Sequence, residues 1–198
     1  PLPVAPVRKR RHEASARGVI DLRRTLQGMA RRPELMVPAH TRARLETPPI
    51  VVLLDISGSM ERYSRLFLHY VHGLTRRHLH VHTFTFGTRL SNITRCLRHR
   101  DPDVAIAMAD QLVHDWRGGT RIASSLNEFN RHWARRVLGG NASVILVTDG
   151  LEREDNVELA RSAAQLHRLA HRLIWLNPLL RYAGFEPRAA GVRTLLAH

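Results

Sequence analysis

Five consecutive apolar residues, Ile50-Val51-Val52-Leu53-Leu54, run uninterrupted into the carboxylate of Asp55. An unbroken run of this length, rich in β-branched residues, predicts a strand covered on both faces, as in a parallel sheet flanked by helices. The residues that follow, Ile56-Ser57-Gly58-Ser59-Met60, supply two hydroxyls and a glycine, and Met60–Arg77 carries apolar residues at helical spacing. Asp55, Ser57 and Ser59 therefore sit on a turn from the C-terminal end of a strand into a helix. That edge is where open α/β sheets bind ligands. Oxygen donors at alternate positions of one tight turn suit a hard divalent cation such as Mg2+.

The rest of the chain repeats the theme. Ser143–Val147 is a second buried apolar run and leads directly into Thr148-Asp149-Gly150, while Leu173–Leu176 is stopped by Asn177-Pro178. Leu79–Gly87 alternates as a strand does, and Leu90–Ile93 reads as a short strand at an edge. Helical patterns cover Met60–Arg77, Asp103–Trp116, Ile122–Leu138 and Glu154–Ala170, with Pro102 suited to start the second. In the first of these, Tyr63, Leu66, Phe67, Tyr70, Val71 and Leu74 are the expected covering face. A short final element is expected around Val192–Leu196. Strands alternating with helices predict an α/β domain with a mostly parallel central sheet covered on both faces and right-handed crossovers.

Before Ile50 the pattern changes. Residues 1 to about 15 are basic and punctuated by proline, and are expected to be irregular. Ala16–Arg31 approximates a short amphipathic helix through Val19, Ile20, Leu22, Leu26 and Met29. Pro33, Pro38, Pro48 and Pro49 make Arg32–Pro49 an expected irregular connector. The chain thus divides into a basic N-terminal extension, 1–49, and a domain, 50–198. It begins at Pro1 and stops at His198 in mid-pattern, which reads as an excerpt from a longer protein with the domain cut short at its C-terminus.

The formal net charge of +14 invites a nucleic-acid-binding reading, the alternative function for this chain. Lys9 is however the only lysine, so the excess is arginine throughout, as a compositional bias of the source would give. Aromatics, at 6%, do not interleave with the basic run, which argues against single-strand binding. Cys96 is the only cysteine, which excludes an internal disulfide and a thiolate zinc site and fits a cytoplasmic location. No apolar run is long enough for a membrane span.

Three segments bring oxygen donors to what should be one sheet edge: Asp55, Ser57 and Ser59 after the first strand, Thr120 after Gly118-Gly119, and Asp149 after Ser143–Val147. Asp55 and the serines alone would serve equally well as a helix cap. A cap has no use for Thr120 and Asp149. His78, His80 and His82 alternate along a strand and read as one solvated face. Neither Ser57 nor Ser59 lies in a G-x-S-x-G elbow, and no general base is evident, so catalysis is not expected.

This ordered set, Asp55-x-Ser57-x-Ser59, Thr120 and Thr148-Asp149-Gly150, resembles the metal-ion-dependent adhesion site of von Willebrand factor A domains. Flanking blocks narrow the resemblance to the CoxE-like branch: LLDISGSM at 53–60, FGTRL at 86–90, DWRGGTRI at 115–122, WLNP at 175–178, GFEP at 184–187 and, before the domain, RGVIDLRRTL at 17–26. The resemblance implies a Rossmann-like domain with, at the C-terminal edge of its sheet, Mg2+, or Mn2+, held by Asp55, Ser57, Ser59, Thr120 and Asp149 and completed by an acidic residue of a protein partner. It further implies a non-enzymatic adaptor working with a MoxR-type AAA+ ATPase in maturing a molybdenum-containing carbon monoxide dehydrogenase-type hydroxylase.

Overall fold

The computed structural model describes residues 7–31, 37–78, 80–113, 121–139, 141–151, 156–181 and 190–196. The chain forms two compact units, Pro1–Pro48 and Pro49–His198.

In the first unit, β1 (Val7–Ser15) and β2 (Val19–Ile20) both pair antiparallel with β3 (His40–Glu46), and α1 (Leu22–Arg31) lies between β2 and β3 in sequence. Two expectations are corrected here. Val7–Ser15 and His40–Glu46 are strands, not irregular segments. Neither shows apolar alternation. Their regularity comes from each other, through a ladder closed on the Arg42–Glu13 contact at 2.8 Å, and such pairing leaves little trace in local pattern. The helix expected over Ala16–Arg31 is confined to Leu22–Arg31: Val19 and Ile20, read as part of its apolar stripe, pair with β3 as β2 instead, and Leu22 and Leu26 are exposed.

The second unit is built on a five-stranded sheet in the order β6-β5-β4-β7-β8. Its strands are β4 (Ile50–Asp55), β5 (Val81–Phe86), β6 (Leu90–Asn92), β7 (Ser143–Val147) and β8 (Arg172–Leu176). All pairs are parallel except β5–β6, where the short edge strand returns antiparallel. Every residue of β4 is buried, as the unbroken apolar run requires of a central strand. On one face Val51, Leu53, Phe84, Phe86, Val144 and Leu146 meet α4 (Ile122–His132), α5 (Ala134–Val137), α6 (Asn156–Leu169) and α7 (Ala190–Leu196) in one apolar cluster. Phe84 packs edge-on against Phe129 and Trp133, with ring centroids 5.2 and 5.1 Å away. Each such pair contributes about 0.5–1.5 kcal/mol beyond burial. The alternate residues Ile50, Val52 and Leu54 point the other way, to the side where α2 (Glu61–Arg77) packs on β4 and β5 and α3 (Pro102–Leu112) packs on α2.

Two helix readings also change. The buried side of α2 is Ser64, Leu68, Val71, His72 and Leu74, while Leu66 and Tyr70 face solvent. Apolar residues occupy both sides of this helix, so periodicity alone could not choose between them. The single helix expected over Ile122–Leu138 is broken at Trp133, which adopts φ −117° and turns its ring onto Phe84. At the start of α3, Asp101 accepts from the N–H groups of Asp103 and Val104, with Pro102 at the first helical position. Among the described residues no helix is long and apolar enough to cross a membrane.

Candidate metal centre

Parallel pairing of β4 with β7 sets Leu54 opposite Val147. The residues that follow each strand therefore emerge side by side at one edge. Asp55 and Asp149, far apart in sequence, are both buried there. Asp55 Oδ1 accepts from the Ser57 N–H at 2.8 Å, and Oδ2 accepts from the Thr148 hydroxyl at 2.7 Å. The Thr148 oxygen in turn accepts from the Gly150 N–H at 3.1 Å. Ser57 and Ser59 hydroxyl oxygens lie 3.2 Å apart, at the start of the short turn Gly58–Met60 that leads into α2.

Asp149 accepts from the Leu151 N–H through Oδ1 at 3.0 Å. Its Oδ2 is buried and has no hydrogen-bond partner. Among the described residues neither Asp55 nor Asp149 is in an ion pair. Burial is the main cause that pushes the Asp55 pKa from its ordinary 3.8 up to about 6. The Asp149 charge adds to the rise, while hydrogen bonds from Thr148 and Ser57 oppose it. Two buried carboxylates at one edge, one with an orphaned oxygen, together with two serine hydroxyls, fit a hard cation well. No group of three or more His, Cys, Asp or Glu side chains occurs among the described residues, so the donors on offer are hydroxyls as well as carboxylates. His78, His80 and His82 form no such cluster.

Thr120 lies outside the described residues. Its neighbour Arg121 donates its N–H to Gly87 O at 3.0 Å, which fixes the start of α4 to the end of β5, beside β4. Of the five residues expected to hold an ion, Asp55, Ser57, Ser59 and Asp149 are at one edge.

The structure adds three positioning residues. Thr148 bridges the two strand ends by its bond to Asp55. Trp175 donates Nε1–H to Thr148 O at 3.0 Å, and Asn177 donates Nδ2–H to Asp149 O at 3.1 Å. Asn177 is itself held by the Leu179 N–H, which donates to Oδ1 at 2.8 Å. The WLNP block at the end of β8 thus clamps two successive backbone carbonyls, those of Thr148 and Asp149. Their place at the end of the strand next to Ser143–Val147 was the signal available in sequence. Gly150 has φ +78°, and a Cβ there would come within 2.9 Å of Val192 on α7.

The descriptive match among known families is to VWA domain containing CoxE-like protein, over residues 2–198. No curated protein matches the chain. Among solved structures it is similar to proximal thread matrix protein 1 from the mussel byssus with a zinc occupied MIDAS motif, at 16% identity and TM-score 0.42, covering 66% of this chain and 43% of that one. Manganese-loaded TRAP protein of Plasmodium vivax aligns at 23% identity and TM-score 0.45, covering 66% and 57%. A von Willebrand factor type A protein from Catenulispora acidiphila aligns at 16% and 0.44, covering 68% and 33%. The chain thus spans about half or less of the length of these structures. At such TM-scores the family match, extending over nearly the whole sequence, is what places the chain: it belongs to the CoxE-like proteins containing a von Willebrand factor A domain.

Proposed function

We propose that the second unit is a Mg2+-dependent docking module in which Asp55, Ser57, Ser59, Thr120 and Asp149 hold the ion, directly or through water. The observation that carries this reading is the orphaned, buried Oδ2 of Asp149 beside the buried carboxylate of Asp55. When bound, the ion supplies the positive charge these carboxylates lack and a coordination position for a carboxylate from a protein partner. Mn2+ would serve the same donors. The chain's own residues do the rest. Thr148 and the Ser57 N–H orient Asp55, Asn177 and Trp175 hold the strand end that bears Asp149, and the Ser57 and Ser59 hydroxyls lie 3.2 Å apart on the turn into α2. The turn that carries Ser57 and Ser59 leads into the N-terminal end of α2, whose dipole would disfavour a cation held there. Affinity should therefore be modest until the partner's acid is added.

Among the described residues the carboxylates at this edge are Asp55 and Asp149, both assigned here to the ion, and the role we propose is recruitment. Membership of the CoxE-like family supports a MoxR-type AAA+ ATPase in the cytoplasm as the partner, and maturation of a molybdenum-containing carbon monoxide dehydrogenase-type hydroxylase as the process. The test is Mg2+-dependent capture of the ATPase or the hydroxylase by the wild-type chain. Asp149→Ala should abolish it while the circular dichroism spectrum is unchanged. Capture that survives both EDTA and Asp149→Ala refutes the proposal.

A further inference from the structure

The edge bearing Asp55 and Asp149 also opens a cleft of about 180 Å3 that the ion does not account for. It is lined by Ile56, Leu90, Leu112 and Val113, and by Arg89 from the turn between β5 and β6. Ile56 is the residue after Asp55, and its N–H donates to Phe86 O at 2.9 Å, so the cleft begins directly beside the candidate ligands. Its far wall is the end of α3. From there an apolar ridge runs along that helix at four-residue spacing: Leu112, Met108 and Val104 are 49%, 43% and 42% exposed. Arg89 is exposed and, among the described residues, has no carboxylate partner.

We propose that the partner segment whose acid completes the ion's coordination continues across this cleft. It would set a second carboxylate on Arg89 and an aliphatic side chain against Leu112 and Met108. This rests on the docking reading above and gives the partner a chemistry, an acidic segment with an adjacent aliphatic residue. A small anion could use Arg89 but would have no need of an apolar wall that extends onto α3; a protein segment uses both. The chain's +14 formal charge favours an acidic partner. An extended segment advances about 3.3 Å per residue, so carboxylates two to four residues apart span roughly 7–13 Å, the range to be searched.

The probe is a nine-residue peptide with one glutamate in a glycine/serine background. It is compared with versions that add a second glutamate two, three or four residues away, and then a leucine. Binding to the full chain is read by 1H–15N shift titration at about 0.15 M salt, with Mg2+ or EDTA. In Mg2+ the second glutamate should tighten binding roughly two- to fivefold, the range for an exposed ion pair. Arg89→Glu should turn that gain into a loss, and Leu112→Asp should cancel the gain from leucine. Arg131→Glu, the same charge change on the exposed side of α4, should leave both gains in place. The replaced side chains are all exposed, so folding should be unaffected.

If Arg89→Glu and Arg131→Glu weaken binding equally, the gain reflects overall charge and the inference is overturned. If the single-glutamate peptide binds with Mg2+ but no second glutamate helps, the inference fails while the docking reading stands. If no peptide shows Mg2+-dependent binding, both fall.

Discussion

Replacing Asp55 with asparagine should make the metal-free domain more stable while destroying its response to Mg2+. Asp55 is fully buried, and its carboxyl is pushed from 3.8 to about 6 chiefly by burial. A rise of about two on the pH scale corresponds to roughly 3 kcal/mol carried against folding once the group is ionised. Between pH about 4 and about 6 the folded chain holds a proton that the unfolded chain has released, so stability falls as pH rises through that window. Asparagine keeps an acceptor for the Ser57 N–H and removes the charge. Its amide meets the Thr148 hydroxyl less well than a carboxylate does, a loss of about 1 kcal/mol. The net expectation at pH 7.5 in EDTA is a gain of about 1–3 kcal/mol, or roughly 3–8 °C in Tm for a unit of this size. Thermal melts of wild type and Asp55→Asn from pH 4.5 to 7.5 would measure it. The gap should nearly close at pH 4.5, where Asp55 is protonated in the fold. Saturating Mg2+ should raise the wild-type Tm at pH 7.5 and leave Asp55→Asn unchanged. The reasoning is refuted if Asp55→Asn is less stable than wild type in EDTA at pH 7.5, or if Mg2+ stabilises both alike.

Other expectations follow from the same edge and the sheet beneath it. The Thr85 hydroxyl on β5 is buried without a partner, so Thr85→Val should stabilise the fold by about 1–2 kcal/mol in urea melts. Equal or lower stability would mean that the hydroxyl is solvated after all. Gly150→Ala must place a Cβ within 2.9 Å of Val192 at φ +78°; a loss of about 1–3 kcal/mol and weaker Mg2+ stabilisation are expected. Trp175→Phe keeps the ring but removes the donor to Thr148 O. It should cost about 1 kcal/mol and lower Mg2+ affinity measured by calorimetry, whereas an unchanged affinity would show that the clamp does not reach the ion.

How much of this was legible beforehand depended on burial. β4 and β7 could be read because a central parallel strand, covered on both faces, needs an unbroken apolar run, and Ile50–Leu54 and Val144–Val147 provide one. Pro102 marked the start of α3 for an equally local reason, the geometry of the first helical turn. The arginine-rich β1 and its partner β3 were illegible, since neither has a face to bury and each is ordered by pairing with a segment distant in sequence. The direction of α2 failed differently. Val71 and Leu74 are covered as expected, but Leu66 is as apolar as Leu68, and only the position of the sheet decides which of those two is covered.

The sequence by itself therefore determined the kind of fold and pointed to the kind of ligand proposed here. Apolar runs that end in carboxylates and hydroxyls dictate strands whose ends can offer oxygen to a hard cation. Tertiary structure alone decided the state of those oxygens. The Thr148 hydroxyl bonds to Asp55 across 93 positions of chain, and Trp175 and Asn177 reach back to the strand beside their own. The physical reason is that parallel pairing sets the distance between strand ends independently of their separation in sequence. Burial at that edge then raises the Asp55 carboxyl and leaves one oxygen of Asp149 without a partner.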